Sequence, residues 1–230
     1  FLENKTIWTI FKEKNIFTNN LQPKDLENSA LSKYIYRDSN QINYKDEGEL
    51  IDLLKNSSML ENRFNFIYYP KIDIAAHLFG VDSEEWKKEL KIFEDIVEVI
   101  NKSSIRKTYT LISADHGLTN VDEESRFTLE YSESVQVFGD QRAVYVNGPE
   151  EEVKKVFEKV PGNFLTKNEL ELLIGKSNNE YMDRLIPEYC FLVDKGNIIF
   201  PKHLKADLVG YHGGLTDEEM KIPLIEFSNY

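Results

Sequence analysis

The sequence predicts an α/β fold with a mostly parallel central sheet and helices on both faces. Short apolar runs rich in aromatic and β-branched residues are bounded by turn residues, as at 64–69 (FNFIYY) and 107–113 (KTYTLIS). Amphipathic runs with helical spacing alternate with them, and the clearest covers 83–100, with Ser83 placed to cap it. Strands that alternate with helical patterns are typical of a parallel sheet.

The other elements follow in chain order. We predict a helix over 6–14, a strand over 15–21, a polar stretch over 24–43, a helix over 46–55, a strand over 142–146, helices over 150–160 and 166–174, a hairpin of 189–193 with 197–200, and a closing strand over 222–227. Two capping boxes are expected, Thr166 with Glu169 and Thr216 with Glu219. The whole chain, 1–230, is expected to be one domain, with 24–60 as a small cap or insert within it.

The composition narrows the class of protein. The net charge of -12 argues against a general nucleic-acid or anionic-membrane surface, because phosphate groups attract basic patches. Cys190 is the single cysteine, so an intrachain disulfide is excluded. No apolar run reaches membrane-spanning length and no signal peptide is recognisable. A soluble, cytoplasmic protein is slightly favoured, although the sequence determines neither the compartment nor the oligomeric state. Because the chain begins with Phe1 and not Met, we expect a fragment or a processed form of a longer protein.

One predicted strand ends in residues that suit metal chemistry. The apolar run that ends at Ala114 is followed directly by Asp115, His116 and Gly117. Ligands of open α/β sheets bind outside the carboxyl ends of the strands. With Gly117 free to take unusual dihedral angles, both preceding side chains can face one point. A carboxylate beside an imidazole suits a divalent metal ion.

Two further segments place histidine near a strand end or a turn. Asp73 and His77 follow the strand at 64–69 and are four residues apart, so in a helical turn they share a face. His212 lies among the glycines of 210–214. Each segment alone has an ordinary explanation as a surface pair, a turn or a closed loop. Together they offer two carboxylates and three imidazoles, which suits a pair of metals about 4 Å apart better than one four-coordinate zinc.

Two other polar residues have plainer interpretations. His203 has no acidic neighbour and is interpreted as a surface or structural residue. Arg142 opens a strand and is a candidate for orienting a phosphate in bidentate fashion, although a structural ion pair is the favoured interpretation.

The three segments, in this order, resemble the alkaline phosphatase superfamily, and within it the type I phosphodiesterase/nucleotide pyrophosphatase family. The run YYPKIDIAAHLFG (68–80) is similar to the family's Asp/His segment, and YHGGLTDEEMKIPLI (211–225) to its closing segment. The run TIWTIFKEKNIFTNN (6–20) resembles the helix and strand that follow the family's nucleophile. The stretches 24–55 and 161–207 match poorly. The resemblance implies an alkaline-phosphatase-like fold.

Carried over to this chain, the resemblance implies two metal sites. Asp73, His77 and His212 would hold one divalent ion, and Asp115 and His116 the second, with Zn as the expected metal and Mn or another ion as the alternative. The second site of the family also needs an earlier Asp and a Ser or Thr nucleophile, and neither has a matching position here. We therefore expect the C-terminal portion of a catalytic domain, inactive by itself, whose intact form hydrolyses a small phosphate ester such as a nucleotide.

Two other hypotheses stay open at this point. A phosphomutase or a sulfatase of the same superfamily uses a similar metal cradle, and a non-catalytic binding module could carry the same fold with an incomplete site. An upstream strand that ends in Asp and is followed by Ser or Thr at a helix start would favour an enzyme.

Overall fold

The computed structural model describes residues 5–56, 60–102, 107–177, 179–200 and 208–229. The segment 201–207, which includes His203, lies outside the described residues. The helices are Ile7–Glu13 (α1), Ala30–Ile35 (α2), Glu47–Lys55 (α3), Lys71–Phe79 (α4), Glu84–Asn101 (α5), Glu150–Phe157 (α6), Lys167–Ile174 (α7), Glu180–Asp183 (α8) and Asp217–Met220 (α9). The strands are Thr18–Pro23 (β1), Asn40–Tyr44 (β2), Phe64–Ile67 (β3), Thr108–Ser113 (β4), Thr119–Asn120 (β5), Arg126–Thr128 (β6), Gln136–Gly139 (β7), Ala143–Asn147 (β8), Gly162–Thr166 (β9), Tyr189–Val193 (β10), Ile198–Phe200 (β11), Gly210–Tyr211 (β12) and Leu224–Asn229 (β13).

The chain divides by its internal contacts into two compact units. The first consists of Phe1–Ile74, Lys87–Ile112 and Ile225–Tyr230, and the second of Ala75–Trp86 and Ser113–Leu224. Among the described residues, no helix combines the length and the apolar character that crossing a membrane requires.

The first unit contains a parallel three-stranded sheet in the order β2-β1-β3. Leu21 of its central strand is fully buried and shares an apolar cluster with Leu50 and Leu54 of α3 and Ile96 of α5. Burial of this cluster removes apolar surface from water and holds the helices to the sheet. The predicted α/β fold class, with a parallel sheet and helices, is confirmed.

The region 24–60 contributes to this same unit. Its strand β2 pairs with β1 in parallel register, and its helix α3 supplies two of the core leucines. The side chain of Asp46 accepts a hydrogen bond from the Glu49 N–H and so begins α3. The assignment of the whole chain to one domain stays a prediction.

The second unit contains an antiparallel four-stranded sheet in the order β7-β8-β10-β9. The predicted hairpin of 189–193 with 197–200 is wrong, because β10 is flanked by β8 and β9 while β11 pairs in parallel with β6. Both edges of β10 are therefore occupied, and the strand after the turn has no edge of β10 to join. The sequence pattern correctly predicts a turn between β10 and β11. It does not show which other strands pair with β10.

The strand β4 leads to the Asp-His-Gly motif and pairs with β13. From the apolar run we predict that Tyr109, Leu111 and Ile112 are buried. In the structure, the side chains alternate, and Tyr109 and Leu111 lie on the exposed side at 64% and 57% of full exposure. A short apolar run is compatible with a strand that is buried on both faces and with a strand that is buried on only one face, so the run alone does not distinguish them.

Candidate metal centre

Helix α4 carries Asp73 and His77 one turn apart, as predicted from their spacing. Nδ1 of His77 lies 2.8 Å from the carbonyl oxygen of Gly210. Since a carbonyl can only accept a hydrogen bond, Nδ1 carries the proton and the lone pair of the neutral ring lies on Nε2. This tautomer, held by a backbone carbonyl, is the one that metal-binding histidines commonly adopt.

The second histidine, His116, lies in the loop between β4 and β5 beside Asp115. Nδ1 of His116 lies 3.1 Å from the carbonyl oxygen of Gly117, which again puts the lone pair of the neutral ring on Nε2. Oδ2 of Asp115 is 3.8 Å from that Nε2, and the Asp115 side chain is 84% exposed, against 25% for His116. The carboxylate and the imidazole therefore lie close to each other at an accessible position.

Gly117 is required for a different reason from the one expected. It is not among the glycines with positive φ, so unusual dihedral angles do not explain it. Its N–H donates to the carbonyl oxygen of Glu219 at 2.8 Å. A Cβ at this position would lie 2.0 Å from the carbonyl oxygen of Glu218, which leaves no room for a side chain. The close approach of two backbone segments is what selects glycine here.

The three imidazoles converge within the second unit. The rings of His116 and His212 are stacked, with centroids 3.5 Å apart and an interplanar angle of 12°. The centroids of His77 and His212 are 5.2 Å apart. The convergence follows from backbone pairing, because β5 and β12 are antiparallel and the Val209 N–H donates to the carbonyl oxygen of His77 at 2.8 Å. The structure thus brings His77, His116, His212 and Asp115 together in one unit and places Asp73 one turn before His77.

Asn120, which the sequence analysis did not single out, ties the end of α4 to β5. Its Oδ1 accepts from the Val81 N–H at 2.7 Å, and its Nδ2 donates to the Val81 carbonyl oxygen at 3.0 Å. Gly80, at φ +90°, makes the turn that brings Val81 to this amide. A lone Asn at a strand end carries no recognisable pattern, so no sequence signal could have identified this contact.

Arg142 is fully buried in the second unit. Its Nε donates to Oε1 of Glu219 at 2.9 Å and its Nη2 to Oε2 at 2.6 Å, while Nη1 donates to the carbonyl oxygens of Asp194 and Asn197 at 2.7 and 2.6 Å. This is the structural ion pair favoured from sequence. Because the guanidinium is buried and occupied in this way, it is not placed to orient a phosphate.

Glu219 differs from its predicted role as the partner of Thr216 in a capping box. No side-chain capping bond forms at Thr216; its hydroxyl instead donates to Oε2 of Glu219 at 2.6 Å. The carboxylate also accepts from the Gly214 N–H at 2.8 Å. Burial would raise the pKa of Glu219, but the hydrogen bonds from Arg142, Thr216 and Gly214 outweigh it and lower this pKa below its ordinary value.

One protein-family model matches most of this chain. The model of the family described as "Type I phosphodiesterase / nucleotide pyrophosphatase" matches residues 7–207. None of the curated proteins compared with the chain matches it.

Several solved structures share the fold. Inactive murine ectonucleotide pyrophosphatase/phosphodiesterase 5 in complex with AMP is 13% identical to this chain, with a TM-score of 0.69. Its human counterpart is also 13% identical, with a TM-score of 0.70. Phosphonoacetate hydrolase from Sinorhizobium meliloti 1021 in complex with phosphonoacetate is 12% identical with a TM-score of 0.66. The alignments cover 97% of this chain and 63% of each of the first two proteins, and 98% and 68% for the hydrolase. The chain therefore spans less than two thirds of the murine and human proteins, and at these identities the likeness shows the fold alone.

Proposed function

Because the chain belongs to the type I phosphodiesterase/nucleotide pyrophosphatase family, we propose that it supplies the metal-binding part of a phosphodiesterase that hydrolyses a small phosphate ester. The observation that carries this proposal is the convergence of His77, His116 and His212, which come from three distant segments and meet within one unit. The family match ends before His212, so the place of that residue rests on the ring contacts and on the resemblance of 211–225 to the family's closing segment.

We propose the ligand sets that the resemblance implies. Asp73, His77 and His212 hold one divalent ion, and Asp115 and His116 hold the second. The donor set fits such ions, because imidazole nitrogens and carboxylate oxygens suit Zn²⁺ and also Mn²⁺. The Gly210 and Gly117 carbonyls support this assignment, since each holds its histidine in the tautomer with the lone pair on Nε2. Bound divalent ions offset the negative charge of a phosphate ester and lower the pKa of an attacking hydroxyl.

The proposal assigns no nucleophile to this chain, since the Ser or Thr of the family has no matching position in it. We therefore expect the chain alone to bind metal without hydrolysing a phosphate ester. A nucleotide is the proposed type of substrate, which the family assignment supports together with the AMP bound to the similar murine protein.

Metal content tests the site directly. The 230-residue chain is purified without chelator, loaded with Zn²⁺ or Mn²⁺, dialysed and analysed for bound metal. We expect at least one tightly bound ion per chain, and reduced content in Asp73→Ala and in His116→Ala with unchanged far-UV circular dichroism. His203→Ala is the matched control, because this histidine is not assigned to the site and its removal should leave the content unchanged. A metal-free wild type after loading, or equal content in both site variants, would refute the site.

Hydrolysis tests the reaction class. The chain and the product of its complete gene are assayed with Zn²⁺ or Mn²⁺ on an aryl phosphodiester, an aryl phosphomonoester and an aryl sulfate. Cleavage of the diester by the product of the complete gene supports the proposal. Cleavage of the sulfate alone supports the sulfatase hypothesis, and inactivity on all three with every metal supports a binding module.

A further inference from the structure

Glu219 is bonded to both of the loops that bring His116 and His212 together. Its carbonyl oxygen accepts from the N–H of Gly117, the residue directly after His116, at 2.8 Å. Its Oε1 accepts from the N–H of Gly214, two residues after His212, also at 2.8 Å. One buried residue, Glu219, is therefore hydrogen-bonded to the backbone next to His116 and to the backbone near His212. It can hold the two stacked rings in place through these loops.

Arg142 fixes the orientation of that carboxylate. Its guanidinium holds both Glu219 oxygens in a bidentate ion pair, and its Nη1 is anchored to the carbonyls of Asp194 and Asn197. The fit against the His212 loop is close, since a Cβ on Gly214 would lie 2.8 Å from Oε2 of Glu219 and 2.9 Å from Nη2 of Arg142. The loop has little room to move while the pair is intact.

We infer that Arg142 and Glu219 are positioning residues, which hold the loops of His116 and His212 so that each imidazole lies in place for its proposed metal ion. The inference rests on the proposed function for the metal that these histidines bind. A purely structural role does not require charges here, because a well-packed apolar pair of similar volume often replaces a buried ion pair at no loss of stability. An apolar pair cannot accept the Gly214 N–H, however, so only the polar pair fixes the position of this loop.

The test replaces both charges together, so that no unpaired charge is left buried. The double variant Arg142→Met/Glu219→Leu is compared with the wild type and with Phe157→Ala, which lowers the stability of the same unit by opening a cavity away from the two loops. Three quantities are measured: the Zn²⁺ dissociation constant by competition with a chromophoric chelator, the imidazole NMR signals of the metal-free chain, and the midpoint of thermal unfolding. Arg142→Met/Glu219→Met, which also removes both charges and the acceptor for the Gly214 N–H, takes the place of the double variant if that variant does not fold.

We expect the double variant to bind Zn²⁺ about 10–100-fold more weakly, the range typical for loss of a group that supports a metal ligand. The ring signals of His116 and His212 should shift in the metal-free chain, while Phe157→Ala should lose stability and keep both its Zn²⁺ affinity and these signals. Unchanged affinity and unchanged ring signals in a folded variant would overturn the inference and leave the metal site standing. Shifted ring signals in a chain whose wild type binds no Zn²⁺ would support the positioning role and refute the proposed metal site.

Discussion

Replacing Gly117 with Ala tests whether close backbone approach shapes the loop of His116. The added Cβ would lie 2.0 Å from the Glu218 carbonyl oxygen, and real Cβ contacts essentially never fall below 3.0 Å. To bring this contact from 2.0 to 3.0 Å, the two backbone segments must separate by about 1 Å. The hydrogen bond from the Gly117 N–H to the Glu219 carbonyl, at 2.8 Å, is then stretched or lost.

The expected loss of stability has two parts. Overpacking of this kind typically costs about 1–3 kcal/mol, and the net contribution of one backbone hydrogen bond is about 1 kcal/mol. The free energy of unfolding should therefore fall by roughly 2–4 kcal/mol. For a chain of this size, each kcal/mol lowers the midpoint of thermal unfolding by roughly 2–4 °C.

Thermal and urea denaturation, followed by circular dichroism, measure this loss. Gly48→Ala is the matched control, because Gly48 lies in helix α3 without a positive φ, and the nearest atom to its added Cβ is the Asp46 carboxylate oxygen at 3.3 Å. Gly to Ala within a helix should be neutral or should stabilise by up to about 1 kcal/mol. A Gly117→Ala variant that is as stable as the wild type would refute the close-approach argument.

Three further predictions concern other parts of the chain. Because Arg142 and its neighbours lower the pKa of Glu219, the ion pair stabilises the fold above the ordinary glutamate pKa of 4.5 and loses this contribution as the pH falls below it. The unfolding midpoint should therefore drop less steeply with acid in Glu219→Gln than in the wild type, and equal slopes would contradict this. Asn120→Ala removes the hydrogen-bond partners of both the N–H and the carbonyl group of Val81, and it should lower the free energy of unfolding by about 1–3 kcal/mol. The Val81 amide should then exchange faster with deuterium, and unchanged exchange would count against the role of Asn120. Burial raises the pKa of the Cys190 thiol to about 11, so iodoacetamide at pH 8 should modify this residue only after unfolding, and rapid labelling of the native chain would disprove its burial.

Local sequence patterns determined the helix starts that depend on neighbouring residues alone. The capping box of Thr166 and Glu169 forms as predicted, because both groups lie on one surface turn. Thr216 and Glu219 have the same spacing but a different structure, since the buried Arg142 offers the carboxylate a stronger, charge-assisted partner. Nothing within the motif itself shows that a residue 77 positions away in the chain will meet it.

By itself, the sequence determined the α/β class, the residues that we propose as metal ligands, and the family whose ordered motifs they resemble, because these depend on residue type and short spacing. The tertiary structure decided which candidates meet: His77, His116 and His212 converge, whereas Arg142 turns away from the solvent to pair with Glu219. It also decided why Gly117 is glycine and which strands flank β10. These features depend on contacts between segments far apart in the chain, and such contacts leave no pattern in a single sequence.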